Sequence, residues 1–196
     1  MANAKPTPLY ITGDPSSDKL LMDEPLALLI GMLLDQQVPM EWAFKGPATL
    51  KERLGGRLDA AEIAAMDPED LVAVFVAKPA LHRYPAAMAR RTHELCVKLV
   101  DDYGGDAGGV WRGVRSGDEL FRRVRALPGY GDEKAKIFVA ILAKRLGKRP
   151  AGWEDVAAPF SDSTPRSVAD IDSPETLGRV REFKQMMKAK GKGKAD

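Results

Sequence analysis

Leu127-Pro128-Gly129-Tyr130-Gly131 has the composition of a very tight turn between two amphipathic runs, and its chemistry is that of an anion cradle. Pro128 ends the run before it, because proline disfavours helical geometry in the residue that precedes it. Gly129 and Gly131 permit positive φ and leave no Cβ to block an approach from outside. Two glycines around one residue, directly before a helix N-terminus, aim several backbone N–H groups the same way, and a phosphate is the obvious anion for such a nest. An ordinary αα-turn punctuated by proline and glycine is the alternative. The flanking charge weighs against it: residues 111–149 hold eleven Lys or Arg against four Asp or Glu, whereas Asp59, Glu62, Asp67, Glu69 and Asp70 make an earlier segment acidic.

Two helices are needed to hold that turn. Ser116 and Glu119 have the spacing of a capping box, after which Leu120, Phe121, Val124 and Leu127 recur on one helical face. Beyond the turn, Asp132 is placed to cap a second helix with Ala135, Phe138, Leu142 and Leu146 on one face. Upstream, Asp14-Pro15 and Glu24-Pro25 read as helix starts, the second leading into a nearly all-apolar run over 26–34. A helix that is hydrophobic all round must be central. It stops at Asp35-Gln36-Gln37-Val38-Pro39, which sets two amides at its end. Trp42, Phe44, Pro47 and a polar loop through Gly55-Gly56 follow, then short helices signalled at Asp59 and Asp67-Pro68. A proline-rich connection over 78–85 precedes a longer helix over 86–103 that carries Met88, Leu95, Leu99 and Tyr103 inward and closes at Gly104-Gly105. His82 and His93 have no metal-ligand spacing and no cysteine or acidic cluster beside them, so both read as surface or capping residues and no metal is expected. Residues 106–113 form a glycine-rich loop with Trp111, and residues 147–160 a connection with Trp153, Glu154 and Asp155. Ser173-Pro174-Glu175 starts a last helix with Leu177, Val180, Phe183 and Met187 on one face. With no clear strand pair and no internal repeat, the fold class is all-α.

The stretch LPGYGDEKAKIF resembles the hairpin of the helix-hairpin-helix (HhH-GPD) DNA glycosylases, the superfamily of endonuclease III and of the alkyladenine and adenine-mismatch glycosylases, which reads roughly LPGxGxxxA. The run LLIGMLLDQQV at 28–38 is similar to that family's buried helix ending in a glutamine, and the two matches together cover 28 to about 155. The resemblance implies two helical subdomains with a helix-hairpin-helix motif and a cleft between them. Residues 1–160 would form the glycosylase-like domain, 161–187 a C-terminal helix packed on it, and 188–196 a disordered basic tail. It also implies base-excision repair by a monomer on double-stranded DNA, in which a damaged or mismatched base is flipped out and its N-glycosidic bond hydrolysed.

An enzyme of that kind works against unstacking and needs a pocket, a filler for the vacated space and a hold on the backbone. Leu127, Pro128, Gly129, Tyr130 and Gly131, with Lys134 and Lys136 behind them, supply the hold, and such contacts carry no sequence information. By the resemblance, Gln37 enters the stack where the target base has left; a solvated helix end is the other reading of the glutamine pair. Trp42, Trp111, Tyr130 or Trp153 could stack on a base, although aromatics more often anchor a core. Cleavage builds positive charge on the sugar, which a nearby carboxylate stabilises. The family places an aspartate shortly after the second hairpin helix, where Asp155 is the nearest acid. Glu154 and Asp170 are the alternatives, since 153–157 lacks the basic or histidine residue that usually follows the aspartate. The lysine with which strand-cutting members form a Schiff base corresponds to Glu133, and Lys134 lies one residue, about 100° of helical rotation, further on. That departure implies a monofunctional enzyme. A chain that kept the hairpin but lost the acid would be a catalytically inactive DNA-binding module or damage sensor, while a helical protein-interaction domain would leave the nest and its basic flank without a use.

At 196 residues the chain can bury a real core as one domain or two small subdomains. It has no long apolar run, and residues 1–10 lack the pattern of a signal peptide, so no membrane association and a cytoplasmic location are expected. The net charge of +2 says little about partners by itself. Cys96, the single cysteine, cannot make an internal disulfide or supply the four thiolates of the iron–sulfur loop that some members of the resembled family carry. No cofactor is expected beyond a monovalent cation that the hairpin could hold.

Overall fold

The structure, a computed structural model, describes residues 6–193 and 195. Residues 1–5, and 194 and 196 of the expected disordered tail, lie outside the described residues. The described residues are all-α: ten α-helices, two short 3-10 turns and no strand, with one isolated parallel bridge between Ser116 and Ala151. None of these helices is long and apolar enough to cross a membrane.

The chain groups into two compact units. One comprises residues 14–112 with 127–129, the other residues 113–126 together with the described residues before 14 and from 130 on. The first is built on α2 (Pro25–Leu34), whose residues from Leu26 to Leu34 are all buried, as an all-apolar helix requires. It packs on α1 (Pro15–Asp23), N-capped by the Asp14 carboxylate, and on α3 (Met40–Arg53). Two glycines set the approach of α2 to α3: a Cβ at Gly31 would lie 2.8 Å from the Phe44 ring, and one at Gly46 2.6 Å from Leu34 Cδ1. The helix α3 runs where the sequence reads as a connection and loop, with Pro47 inside it. Its apolar residues Ala43, Phe44, Pro47 and Leu50 share a buried face, so packing overrides the proline signal. Short helices α4 (Ala60–Ala65) and α5 (Pro68–Val76), N-capped by Asp59 and Asp67, pack on the long α6 (Pro85–Tyr103). Gly104, at φ 61°, ends α6 in the left-handed conformation. Arg53 closes α5 from outside by donating to the carbonyls of Val74, Ala77 and Pro79 at 2.7 to 3.0 Å.

The second unit holds α7 (Gly117–Arg125), α8 (Asp132–Lys144), α9 (Trp153–Ala157) and α10 (Pro174–Ala189). Helix α9 is a single turn inside the expected connection, too short to show periodicity. Helix α10 starts after Ser173 as expected, with a capping box between Ser173 and Thr176, and buries Leu177, Val180 and Met187, whereas Phe183 lies half-buried under the Arg166 guanidinium. It continues through Ala189, so residues 188 and 189 of the expected disordered tail are helical.

Candidate nucleic-acid interface

Ser116 caps α7 by accepting the Glu119 N–H at 3.2 Å, but Glu119 turns its carboxylate to Arg123, 2.6 Å away, rather than back to Ser116. The Ser116–Ala151 bridge then draws the chain after α8 against the start of α7: Gly117 N–H donates to the Ala151 carbonyl at 2.7 Å and Ala151 N–H to the Arg115 carbonyl at 3.0 Å. The approach is so close that a Cβ at Gly117 would sit 2.6 Å from the Gly152 oxygen. Helix α9 is thereby fixed beside both α7 and α8.

At the turn, only one glycine uses its conformational freedom. Gly129 has φ 79°, and a side chain there would also overlap Leu33 Cδ1. Gly131, expected to need positive φ as well, has φ −79° and ψ 175°, which any residue adopts, and nothing lies within 4 Å of a Cβ built on it. It is also Gly131, and not Asp132, that occupies the N-cap of α8. Asp132 is the first helical residue and pairs with Arg125, whose Nη1 donates to the Tyr130 carbonyl at 3.2 Å. One guanidinium thus ties the end of α7 to the turn and to α8. The amide N–H groups of Gly129, Gly131 and Asp132 are exposed and have no acceptor among the described residues. Unpaired donors at the positive end of a thirteen-residue helix suit an anion.

The side chains of the turn serve the core. Leu127 and Tyr130 are buried, and the Tyr130 ring meets Phe138 edge-on with centroids 5.7 Å apart. Burial pushes the Tyr130 phenol well above its ordinary range. The ring therefore packs on Phe138 and is not available to a base. Pro128 and Lys134 are half-buried, and Lys136 donates from Nζ to the Ala158 carbonyl at 3.0 Å.

The basic flank is sparser than its count suggests. Arg112, Arg123, Arg125, Lys144 and Arg145 are each ion-paired to a carboxylate, and Arg149 donates to the Ala143 carbonyl. Arg115, Arg122 and Lys148 are exposed cations whose side chains have no partner among the described residues. For Lys144 and Arg145 the pairing depends on Asp170 and Asp172, far off in sequence, whereas Arg112, Arg123 and Arg125 pair with carboxylates within seven residues.

Of the two glutamines, Gln36 is locked in place. Its Nε2 donates to the Leu33 carbonyl at 2.8 Å, and its Oε1 accepts from Arg91 Nη1 at 3.0 Å. Gln37 is exposed and holds φ 57°, the one non-glycine residue in the left-handed region among those described. That conformation costs about 1–2 kcal/mol. His82, expected at the surface or as a cap, is buried: its Nε2 donates to the Gln36 carbonyl and its Nδ1 accepts the Tyr84 N–H at the N-cap of α6, each at 3.0 Å. The neutral ring pins the glutamine turn to the start of α6. His93 does cap: its Nε2 donates at 3.1 Å to the carbonyl of Met66, the residue that ends α4. Trp42 and Tyr84 flank His82 at 6.4 and 6.1 Å between ring centroids and stay exposed, with Arg83 over the Tyr84 ring. Trp111 is half-buried and Trp153 buried.

The three candidate carboxylates differ sharply. Asp155 and Glu154 are exposed on α9, and neither side chain has a partner among the described residues. Asp170 is 9% exposed, pairs with Lys144 at 2.6 Å and accepts the N–H groups of Arg166 and Ser167 at 3.0 Å. It is a structural anion with its lone pairs in use. Among the described residues no cluster of side chains could hold a metal ion.

No protein-family model matches the chain, and neither does any curated protein. Among solved structures it is similar to endonuclease III trapped as a covalent intermediate with DNA in an estranged-adenine complex, at 21% identity over 89% of this chain and 78% of that one, with a TM-score of 0.44. It is also similar to endonuclease III in a non-covalent DNA complex, at 20% identity over 87% of this chain and 79% of that one, with a TM-score of 0.45. Both likenesses are remote.

The geometry of the turn identifies its clean probe. Gly131→Asp adds a charge and a cap acceptor at an unstrained N-cap, where aspartate and glycine differ by only about a few tenths of a kcal/mol. Thermal stability should be unchanged or slightly raised while affinity for duplex DNA falls. Wild-type affinity for the variant in a fluorescence titration would remove the α8 N-terminus from the interface. Gly129→Val is unsuitable as a probe, since backbone strain and the overlap with Leu33 would disturb the fold itself.

Proposed function

We propose that this protein is a monofunctional DNA glycosylase of base-excision repair, which grips the backbone of double-stranded DNA with its hairpin and hydrolyses the N-glycosidic bond of a flipped base. The observation that carries the reading is the hairpin itself: unpaired, exposed N–H groups of Gly129, Gly131 and Asp132 at a helix N-terminus, within a sequence that resembles the glycosylase motif. Gln37 supports it, because an exposed side chain held in a strained backbone conformation is the kind of outlier that functional sites retain. In the roles proposed, the amides receive a phosphate and Gln37 fills the vacated stack. Asp155, exposed and free of partners, opposes the charge that develops on the sugar. The reading calls for no iron–sulfur cluster: burial and the charge of Asp59 push the Cys96 thiol up to about 12, far from the thiolate a metal needs.

The deciding experiment is base release from duplex oligonucleotides carrying uracil, alkylated purines, oxidised bases or mismatches. Release from one of them establishes the enzyme; binding without release from any favours the second reading, a DNA-binding module without catalysis, which the solvent-exposed setting of Asp155 also fits. Strand cleavage is not expected, since Glu133 occupies the position of the Schiff-base lysine. Borohydride should trap no covalent adduct with a substrate duplex, and an adduct lost on Lys134→Ala would show that the lysine one residue on takes that role.

A further inference from the structure

A cavity of about 430 Å³ opens within the second unit, between the end of α8, the loop over 161–165 and the first turns of α10. Lys144, Arg145, Arg149 and Arg179 line it, against Asp162 and Asp170. Two of the four cations are accounted for: Lys144 pairs with Asp170, and Arg145 with Asp172. Asp162 pairs with Arg166, whose guanidinium also covers Phe183. Arg149 and Arg179 remain as cavity-lining guanidiniums that have no ion pair among the described residues. Arg149 is already oriented, because Nε donates to the Ala143 carbonyl at 3.1 Å and leaves both terminal NH2 groups for another acceptor. Arg179 stands one turn after Glu175, whose carboxyl is held low chiefly by hydrogen bonds at the helix start and in part by Arg179. On the same wall the Arg145 Nε is buried without a hydrogen-bond acceptor.

We propose that this cavity binds a phosphate monoester. Two unpaired guanidiniums match a group that carries about −1.5 to −2 charge at neutral pH, and each can grip it by two N–H groups. Arginine is the residue suited to that bidentate geometry. The volume exceeds what an inorganic phosphate fills, which leaves room beside it for the organic part of the ligand. The ester could be a free mononucleotide or the terminal phosphate of a nicked strand; both present the same group. The site does not depend on the glycosylase reading, because a bound phosphate is measurable without any base release.

Calorimetric titration of the full chain with a nucleoside 5′-monophosphate, inorganic phosphate, and nicked duplexes bearing a 5′-phosphate or a 5′-hydroxyl tests it. Saturable binding of the mononucleotide, weakened about tenfold or more in Arg149→Gln and in Arg179→Gln, supports the site. A preference for the 5′-phosphorylated nick that disappears in both variants assigns the strand end as the source; mononucleotide binding without that preference assigns a free ligand. Each variant is checked by its melting curve, and Arg122→Gln serves as a control that lowers duplex affinity and leaves mononucleotide binding unchanged. The proposal is overturned if neither phosphate compound saturates and the two nicked duplexes bind alike, or if binding persists undiminished in both folded variants.

Discussion

Asp155→Asn is expected to slow single-turnover base release by about a hundredfold to a thousandfold, the usual cost of removing one preorganised electrostatic group from a transition state. Asparagine keeps the size of the side chain and removes the charge that is proposed to oppose the developing sugar cation. The setting of Asp155 makes the result interpretable: the side chain is exposed and has no partner among the described residues, so its replacement should leave stability within about 0.5 kcal/mol. Duplex affinity, which the proposed reading assigns to the hairpin amides and to Arg115, Arg122 and Lys148, should hardly change. Glu154→Gln, one residue away on the same turn, is the matched control. If Asp155→Asn releases base at the wild-type rate and Glu154→Gln does not, the roles are reversed; if both are fully active, neither carboxylate is catalytic.

Asp170→Asn should behave in the opposite way, lowering stability by about 3–5 kcal/mol, the cost of leaving a buried charge without its partner. Lys144 is only 13% exposed on its side chain and would keep its charge with a carbonyl of Asp162 but no carboxylate. The 3-10 turn over Val168–Asp170 would lose its charged cap at the same time. For a chain of this length the melting temperature should fall by on the order of 10 °C. Calorimetry at neutral pH decides it: an unchanged melting temperature together with lost base release would move the catalytic role from Asp155 to Asp170.

The all-α fold was readable because its signals are local. Aspartate or serine followed by proline marks the starts of α1, α5 and α10, Gly104 marks the end of α6, and the unbroken apolar run of α2 announces a central helix. Helix α3 was hidden because the order of Phe44, Pro47 and Leu50 makes sense only against the helix they pack on, and α9 because one turn has no period. The hairpin was legible as a motif but not in its conformational detail. Whether a glycine is present for its φ or for the space around it depends on what lies opposite, Leu33 for Gly129 and open solvent for Gly131. The same limit governs charge. Counting cations along the chain cannot tell Arg122, which is unpaired, from Arg123, which Glu119 holds, and so the flank offers fewer phosphate contacts than eleven. Binding should accordingly lose affinity only gently with salt, with a logarithmic slope of roughly −3 for about three free cations.

The division of the chain into two units also sets an order of events at the ribosome. The first unit is almost wholly one uninterrupted stretch, residues 14–112, and its contacts can form as soon as that stretch emerges. The second cannot close until late: the Thr7 N–H donates to the Arg145 carbonyl at 2.9 Å and the Tyr10 N–H to the Ile171 carbonyl at 3.4 Å, contacts that join the start of the chain to segments made well over a hundred residues afterwards. Long-range closure of that kind is slow and leaves apolar surface uncovered while it waits. Leu9 and Ile11, buried in the finished unit, are the residues a nascent-chain chaperone would find exposed longest.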